Sequence, residues 1–405
     1  MTESLPRLKI AVLIKRFLRT GGAEKYAMEV VRRLAMDHEV HVFAHEWVFD
    51  GPEPITFHKI LRICHKPAWV NQLFFSYFCR KAVGEGFDVV HSFEKVSTFD
   101  VMTVQSPCFK SPELGGVEGW RKWLDWARMA LSPRKLAWRW IEARQFAEDR
   151  VRLVIAVAEK VKRNVQACYG LPDEYFRLAY TGVDVPTLER VYASQELEGI
   201  RAQVGVSAGD VVVLFVGTEF KRKGLDALLK GLILVPRGQF KLLIAGGGGG
   251  KLDYYKSLTD KMKLSGEVRF LGLVQDIERI YQVADIYILP TLADPCPLAP
   301  LEAMAAGVVT IMSASDFNGS AELIRNGEAV LLSDPRNPQD IANALMRLTD
   351  RQVRCELAEK GRRLVHQLTW DKTTAETVSA YRAVMQRKGA QGRPILERPG
   401  VSCEV

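Results

Sequence analysis

Apolar residues recur along this chain in short blocks, each closed by glycine, proline or charged residues, as expected of strands buried on both faces of a sheet. In the first half such blocks occupy residues 10–14, 40–43, 88–91, 101–104 and 153–157. In the second half they occupy 211–216, 240–245, 268–271, 285–289 and 308–312. Helical periodicity lies between them, as in residues 22–34, so strand and helix alternate. The pattern predicts parallel sheets covered by helices, an α/β chain. Between the two series Thr181-Gly182-Val183-Asp184-Val185-Pro186 is rich in turn formers and predicts a linker. The expected division is 1–186 and 187–369, followed by a helix over 370–388 and a disordered tail over 389–405.

Length agrees with that division, since 405 residues exceed the range of one compact core. A hydrophobic content of 47% with 26% charged residues is ordinary for a globular protein. No apolar run approaches the roughly 18 residues of a membrane span. The N-terminal apolar stretch is brief and bounded by Lys9 and Lys15, so it reads as the first buried strand and not as a signal peptide. Seven cysteines, an odd number, are scattered without a Cys-x-x-Cys pair and read as reduced thiols of a cytoplasmic protein. His38, His41 and His45 straddle a strand without supporting carboxylates, so no metal site is expected there. The net charge of +8 and pI near 9.0 point to an anionic partner, a nucleic acid or an acidic membrane surface.

Three segments carry candidate chemistry. Residues 289–307, LPTLADPCPLAPLEAMAAG, follow a strand and open a helix that stops at Gly307. Free N–H groups and the positive dipole end of a helix start can seat a diphosphate, while Asp294 and Glu302 can accept hydrogen bonds from hydroxyls. Hydroxyls beside a diphosphate describe a nucleotide sugar; a plainer alternative is a helix with Asp near its start and a solvated Glu. Thr20-Gly21-Gly22-Ala23-Glu24-Lys25 also links a strand to a helix, and its glycines let backbone approach a ligand, although a plain turn would look the same. In Gly217-Thr218-Glu219-Phe220-Lys221-Arg222-Lys223-Gly224, the fork of Arg222 and the point charge of Lys223 can neutralise a diphosphate; singly, the segment is a solvated basic loop. The five glycines from Gly246 to Gly250 lack the spacing of a dinucleotide fingerprint and read as a loop.

Asp294 and Glu302, with seven residues between them, resemble the Glu-x7-Glu motif of retaining glycosyltransferases of family 4. The Gly-Gly-Ala-Glu segment, with Lys25 in the usual Arg place, and the Arg222-Lys223-Gly224 segment resemble that family's other signatures, in the family's order. The resemblance spans residues 8–385 and implies the GT-B architecture, two Rossmann-like domains facing a cleft, with the last helix crossing back to the first domain. It implies that the first domain receives the acceptor and the second binds the donor. By position, Asp294 inherits the donor-sugar hydroxyls, Glu302 the ribose, and Arg222 and Lys223 the leaving diphosphate beside Gly21 and Gly22. No metal or other cofactor is expected. Ser92-Phe93-Glu94-Lys95 and Phe215-Val216-Gly217 further resemble the branch that glucosylates the inner heptose of lipopolysaccharide, which implies a UDP-linked glucose donor.

The chain departs from the family pattern at Gln105, on the acceptor side, where many members carry histidine; a glutamine cannot act as a general base. Pro297 replaces a glycine and Pro300 lies just inside the helix, each removing an N–H, so Leu298 and Ala299 are left to supply amides to phosphate. Five of eight tryptophans, Trp120, Trp123, Trp126, Trp138 and Trp140, lie among Arg121, Lys122, Arg128, Arg134, Lys135 and Arg139. Ser132-Pro133 predicts a break between two helices there. Amphipathic rings with basic neighbours suit an anionic lipid surface, and Trp120, Arg121, Lys122, Trp123 and Trp126 are the expected membrane contacts. The alternative packs the tryptophans against the sheet. Nucleic acid is not expected, because no recognisable binding module is present. The expected function is therefore hexosyl transfer from a nucleotide sugar to a lipid-linked saccharide at the cytoplasmic membrane face. A soluble acceptor, or sugar-nucleotide binding without turnover, are the alternatives.

Overall fold

A computed structural model of the chain describes residues 6–19, 21–64, 66–111, 132–147, 153–190, 192–247 and 250–391. The chain divides into two compact units, one comprising residues up to Tyr180 together with those from Asp371 on, the other Thr181–Trp370.

The first unit is built on a parallel sheet of order β5-β3-β1-β6-β7-β8-β9. Its strands are β1 (Lys9–Leu13), β3 (Glu39–Ala44), β5 (Ile55–Lys59), β6 (Val89–Ser92), β7 (Val101–Val104), β8 (Leu153–Ala156) and β9 (Phe176–Leu178), with a small ribbon of β2 (Arg16–Phe17) and β4 (Glu46–Trp47) beside it. Every residue of β6, β7 and β8 is buried, because helices cover both faces and leave no strand face for water. Among those helices are α1 (Gly22–Asp37), α2 (Ala68–Val83), α3 (Pro133–Gln145) and α4 (Glu159–Tyr169). The second sheet, also parallel, runs β12-β11-β10-β13-β14-β15. Its strands are β10 (Val212–Val216), β11 (Lys241–Ala245), β12 (Val268–Gly272), β13 (Ile286–Leu289), β14 (Val309–Ser313) and β15 (Val330–Leu332). Helices α5 (Leu225–Ile233), α6 (Ile277–Tyr281) and α7 (Leu298–Ala305) carry or abut its loops.

Each apolar block read from the sequence holds one strand. The edge strands β5, β9 and β15 were not read, because all three are only partly buried and β9 and β15 are also short, so their apolar signal is weak. The division falls at Tyr180, earlier than the expected 186, for a backbone reason. Val183 bridges Thr369 and its N–H donates to the carbonyl of Leu368 at 2.8 Å, which ties the expected linker into the second unit. Gly182 makes this possible, since a Cβ there would stand 2.4 Å from the Trp370 nitrogen.

The last helix, α8 (Trp370–Gln391), groups from Asp371 onward with the first unit and is clamped to it by polar contacts. Tyr381 Oη lies 2.7 Å from His91 Nδ1, whose other ring nitrogen lies 2.8 Å from Thr103 Oγ1. Lys388 donates to the Asp88 carbonyl at 2.7 Å and pairs with Asp100 at 2.9 Å. Burial lowers the His91 pKa to about 3, so its imidazole is neutral in the folded protein. Residues 392–405, which include most of the expected tail, lie outside the described residues.

Candidate functional site

In an open parallel sheet the connections leave opposite faces at the strand where the order reverses, and a crevice opens beyond the carboxyl ends there. In the second sheet that point lies between β10 and β13. The loop after β10 carries Arg222 and Lys223, and the loop after β13 carries Asp294, so chain topology alone brings them to one place. Two glycines allow the loops to close up. Gly224, at φ +82°, has no room for a side chain, because a Cβ would stand 1.9 Å from the Pro290 carbonyl oxygen. Gly246, at φ +137°, is pressed against the Gly217 carbonyl, 1.8 Å from where its Cβ would be.

The basic pair converges on one buried carboxylate. Lys223 Nζ pairs directly with Asp294 Oδ2, and Arg222 Nη1 reaches the same oxygen at 3.3 Å. Arg222 Nη1 also donates to the Ala293 carbonyl at 2.6 Å, while Leu292 N–H donates to the Arg222 carbonyl at 2.9 Å, so the two loops are stitched through backbone as well. Glu219, on the solvent side, takes Arg222 Nε. Asp294 is fixed from behind by a short parallel bridge to Asn318: its N–H donates to Phe317 O at 2.8 Å and its carbonyl accepts from Gly319 N at 3.0 Å. Two residues on, the Cys296 thiol lies 3.3 Å from Thr181 Oγ1 and 3.4 Å from Ser320 Oγ, and burial pushes its pKa up, so it serves here as a small packed group.

Helix α7 is preceded at its N-cap by Pro297, which makes no side-chain cap, and Pro300 sits in its first turn. Neither proline breaks the helix, because N–H groups of the first turn have no intrahelical acceptor in any case. The amides of Leu298 and Ala299 are the first two of the helix and remain as donors toward an anion at its start. Glu302, buried on the same helix, receives the Tyr281 hydroxyl on Oε2 at 3.1 Å. Burial, then the Glu302 charge, drives the Tyr281 phenol well above its ordinary pKa, which keeps it a donor. Behind both carboxylates stands Tyr287 of β13, whose buried hydroxyl has no hydrogen-bond partner among the described residues.

The structure thus brings Arg222, Lys223 and Asp294 into contact and sets Leu298, Ala299 and Glu302 on the adjoining helix. Gly21, Gly22 and Gln105 belong to the first unit. Gly21, at φ +100°, ends the turn that opens α1, and Lys25 N–H donates to its carbonyl at 2.9 Å. Gln105 follows β7 and donates to the Ala23 carbonyl at 3.5 Å. The expected membrane contacts Trp120, Arg121, Lys122, Trp123 and Trp126 lie outside the described residues. The rest of that cluster is helix α3, which starts at Pro133 as the Ser-Pro break predicts. Trp140 and Leu136 are exposed on it, whereas Trp138 packs flat on Phe109 with ring centroids 5.1 Å apart. Trp138 thus packs within the unit, as the alternative reading of the tryptophan cluster expects of it. Tyr281, Tyr287 and the Asn318 bridge were missed; none carries a local signal, because each meets the site only through the folded sheet.

Two parallel sheets of this kind are the architecture of the GT-B glycosyltransferases, and the comparisons place the chain in that class. Residues 20–186 match the model described as Glycosyltransferase Family 4, and residues 198–364 that of Glycosyl transferases group 1. The two halves of the chain thus each match a glycosyltransferase family model. It is similar to the lipopolysaccharide glucosyltransferase WaaG of Escherichia coli K12, 21% identical over 87% of this chain and 93% of WaaG. A crystal structure of WaaG superposes with a TM-score of 0.78 at 19% identity, covering 92% of this chain and 98% of that one. An uncharacterized glycosyltransferase of Methanocaldococcus jannaschii is 28% identical over 58% of this chain, which spans only 61% of that relative's length. HepE of Anabaena, in complex with UDP and glucose, superposes with a TM-score of 0.70 at 19% identity over 92% of this chain and 100% of that one.

Proposed function

We propose that the protein transfers a hexose, with retention of anomeric configuration, from a nucleotide sugar to a lipid-linked saccharide at a membrane surface. UDP-glucose is the proposed donor, in keeping with HepE, which was crystallised with UDP and glucose. The observation that carries the reading is the convergence of Lys223 and Arg222 on buried Asp294, beside a helix start that holds Glu302. In the bound state Arg222, Lys223 and the amides of Leu298 and Ala299 take the diphosphate, Asp294 takes sugar hydroxyls and Glu302 the ribose. Gly21 and Gly22 contribute backbone from the first domain. Negative charge on the diphosphate grows as the glycosidic bond breaks, so the cations act most strongly in the transition state. An acceptor hydroxyl attacks the anomeric carbon from the face that the phosphate leaves. The C–O bond to phosphate breaks, the new glycosidic bond forms, and the departing phosphate oxygen takes the hydroxyl proton. Gln105 then needs no basicity. The basic pair does the task that a metal would otherwise perform, and chelator should leave turnover unchanged.

The lipid-linked acceptor and an anionic membrane surface on the cytoplasmic side are part of the same reading. No helix among the described residues is long and apolar enough to cross a membrane, so contact would be peripheral. The basic, tryptophan-rich segment 120–140 supports it, with Leu136 and Trp140 exposed among Arg134, Lys135 and Arg139. The decisive experiment is thermal-shift screening against nucleotide sugars, followed by UDP-release assays and NMR of the product anomer. A selective shift with UDP-glucose and an axial product are expected; binding without UDP release would reduce the protein to a sugar-nucleotide binder. Cosedimentation with anionic vesicles should weaken as salt rises, since the attraction is screened over about 10 Å at 0.1 M. Wild-type protein that ignores such vesicles at low salt leaves only a soluble acceptor.

A further inference from the structure

We propose that Asp294 is an internal counter-ion that a diphosphate has to displace, and that the site thereby favours a nucleotide carrying a sugar over a bare one. Which groups meet Asp294 and the cations in the bound state rests on the glycosyl-transfer reading above.

Both cations assigned to the diphosphate are already committed. Lys223 Nζ pairs with Asp294 Oδ2, and Arg222 reaches the same oxygen at 3.3 Å through Nη1 while its Nε takes Glu219. Two positive charges meet two negative ones there, so the basic pair has little free charge to offer an anion until it changes partners. Lys223 is also held in place by packing. Its side chain is only 15% exposed and lies against Gly217, where a Cβ would stand 3.1 Å from Lys223 Cγ.

The two carboxylates differ in what it costs to leave them. The Glu219 side chain is 61% exposed, and water solvates its charge once Arg222 turns away. The Asp294 side chain is 8% exposed, and its own N–H and carbonyl are tied to Phe317 and Gly319, so it cannot follow the cations outward. A carboxylate left buried without a partner is strongly unfavourable. When phosphate oxygens draw Lys223 and Arg222 away, Asp294 therefore needs new donors. Sugar hydroxyls are such donors, whereas a bare nucleoside diphosphate, with its ribose at Glu302, has none to place there. The exchange is complete with a nucleotide sugar and incomplete without the sugar. Once the sugar has been transferred, Asp294 competes with the diphosphate for Lys223, which favours release of the product.

Calorimetry of UDP and UDP-glucose with the wild type, Asp294→Asn and Glu219→Gln tests the exchange, with melting temperatures alongside. Asp294→Asn should bind UDP at least tenfold more tightly than the wild type, while UDP-glucose gains less or weakens. Glu219→Gln, which removes an equal charge from the exposed side, should tighten UDP by less than threefold. An Asp294 that served the sugar alone would behave differently: Asp294→Asn would weaken UDP-glucose and leave UDP unchanged, which overturns the exchange. A gain for UDP no greater than that of Glu219→Gln, or an equal gain for both nucleotides, overturns it as well, since either is general electrostatic attraction. If Asp294→Asn unfolds, a crystal structure of the wild type with UDP-glucose decides. Lys223 on phosphate with Asp294 on sugar hydroxyls is the expected result, and a Lys223–Asp294 pair kept intact overturns it. Binding of neither nucleotide by any of the three proteins removes the donor reading and the exchange together, whereas equal UDP affinity in all three removes the exchange alone.

Discussion

The two sheets of this protein solve the same folding problem with the same parts, yet present different chemistry at the same topological point. In each, a central strand is flanked by a strand from either direction of winding, and in each a carboxylate just before the neighbouring strand holds the start of the central one. Asp88 accepts from Lys9 N at 2.7 Å in the first sheet, and Asp285 accepts from Val212 N at 2.8 Å in the second. Beyond the carboxyl ends the likeness stops. The first sheet carries the lysine–glutamate pairs Lys15–Glu94 and Lys95–Glu142 beside the stacked rings of Phe109 and Trp138, whereas the second gathers Arg222 and Lys223 on one buried aspartate beside a helix start. The backbone plan chooses where a ligand can sit, and the loops choose which ligand.

The sharpest way to break this contrast is to remove the cations of the second sheet. Arg222→Ala and Lys223→Ala should each lower turnover of UDP-glucose by about 100-fold, on the scale of a lost oxyanion donor, with a smaller effect on donor KM. Wild-type rates in both single variants would sink the assignment. Glu302→Ala should weaken UDP binding by about 1.5–3 kcal/mol, as for hydrogen bonds to a charged group, and Glu302→Gln by less. Calorimetry on a folded variant reads this directly, and unchanged affinity would take Glu302 out of the ribose site.

Acid should separate the two units themselves. His38, His45, His58 and His91 all lie in the first unit, and burial lowers each below the ordinary imidazole pKa. The folded state holds them neutral, while the unfolded chain takes up protons below about 6.5, so stability present above that pH is lost as pH falls. For His91 the loss continues down to about 3 and reaches about 2 kcal/mol at pH 5. The second unit's one histidine, His366, is on the surface beside Glu189. Hydrogen exchange at pH 5 should therefore show the first unit opening before the second; equal protection in both would contradict it. The smallest expected effect is that of Tyr281→Phe, about 1 kcal/mol or fivefold in UDP affinity, since one neutral donor to Glu302 is lost. In a Glu302→Gln background the same change should cost less, and strict additivity would show that the tyrosine acts independently of Glu302.

The legible part of this protein was what depends on neighbours in sequence. Residues 285–289 and 308–312 announced themselves as strands because burial on both faces makes most positions apolar. The glycines at 224 and 246 and the carboxylate pair at 294 and 302 were visible as local patterns. The sequence also determined that Arg222, Lys223, Asp294 and Glu302 belong to loops after strands and to a helix start. It did not decide that Lys223 pairs with Asp294, that Tyr281 braces Glu302, or that Val183 is tied to Thr369. Nor did it show that Glu142 is buried beneath Lys95 and Phe109, since its helix reads as polar and strongly basic. Those facts arise where segments far apart in the chain are pressed together, and a hydrogen bond across such a gap leaves no period in the sequence. Only the packed sheet brings the two atoms within reach.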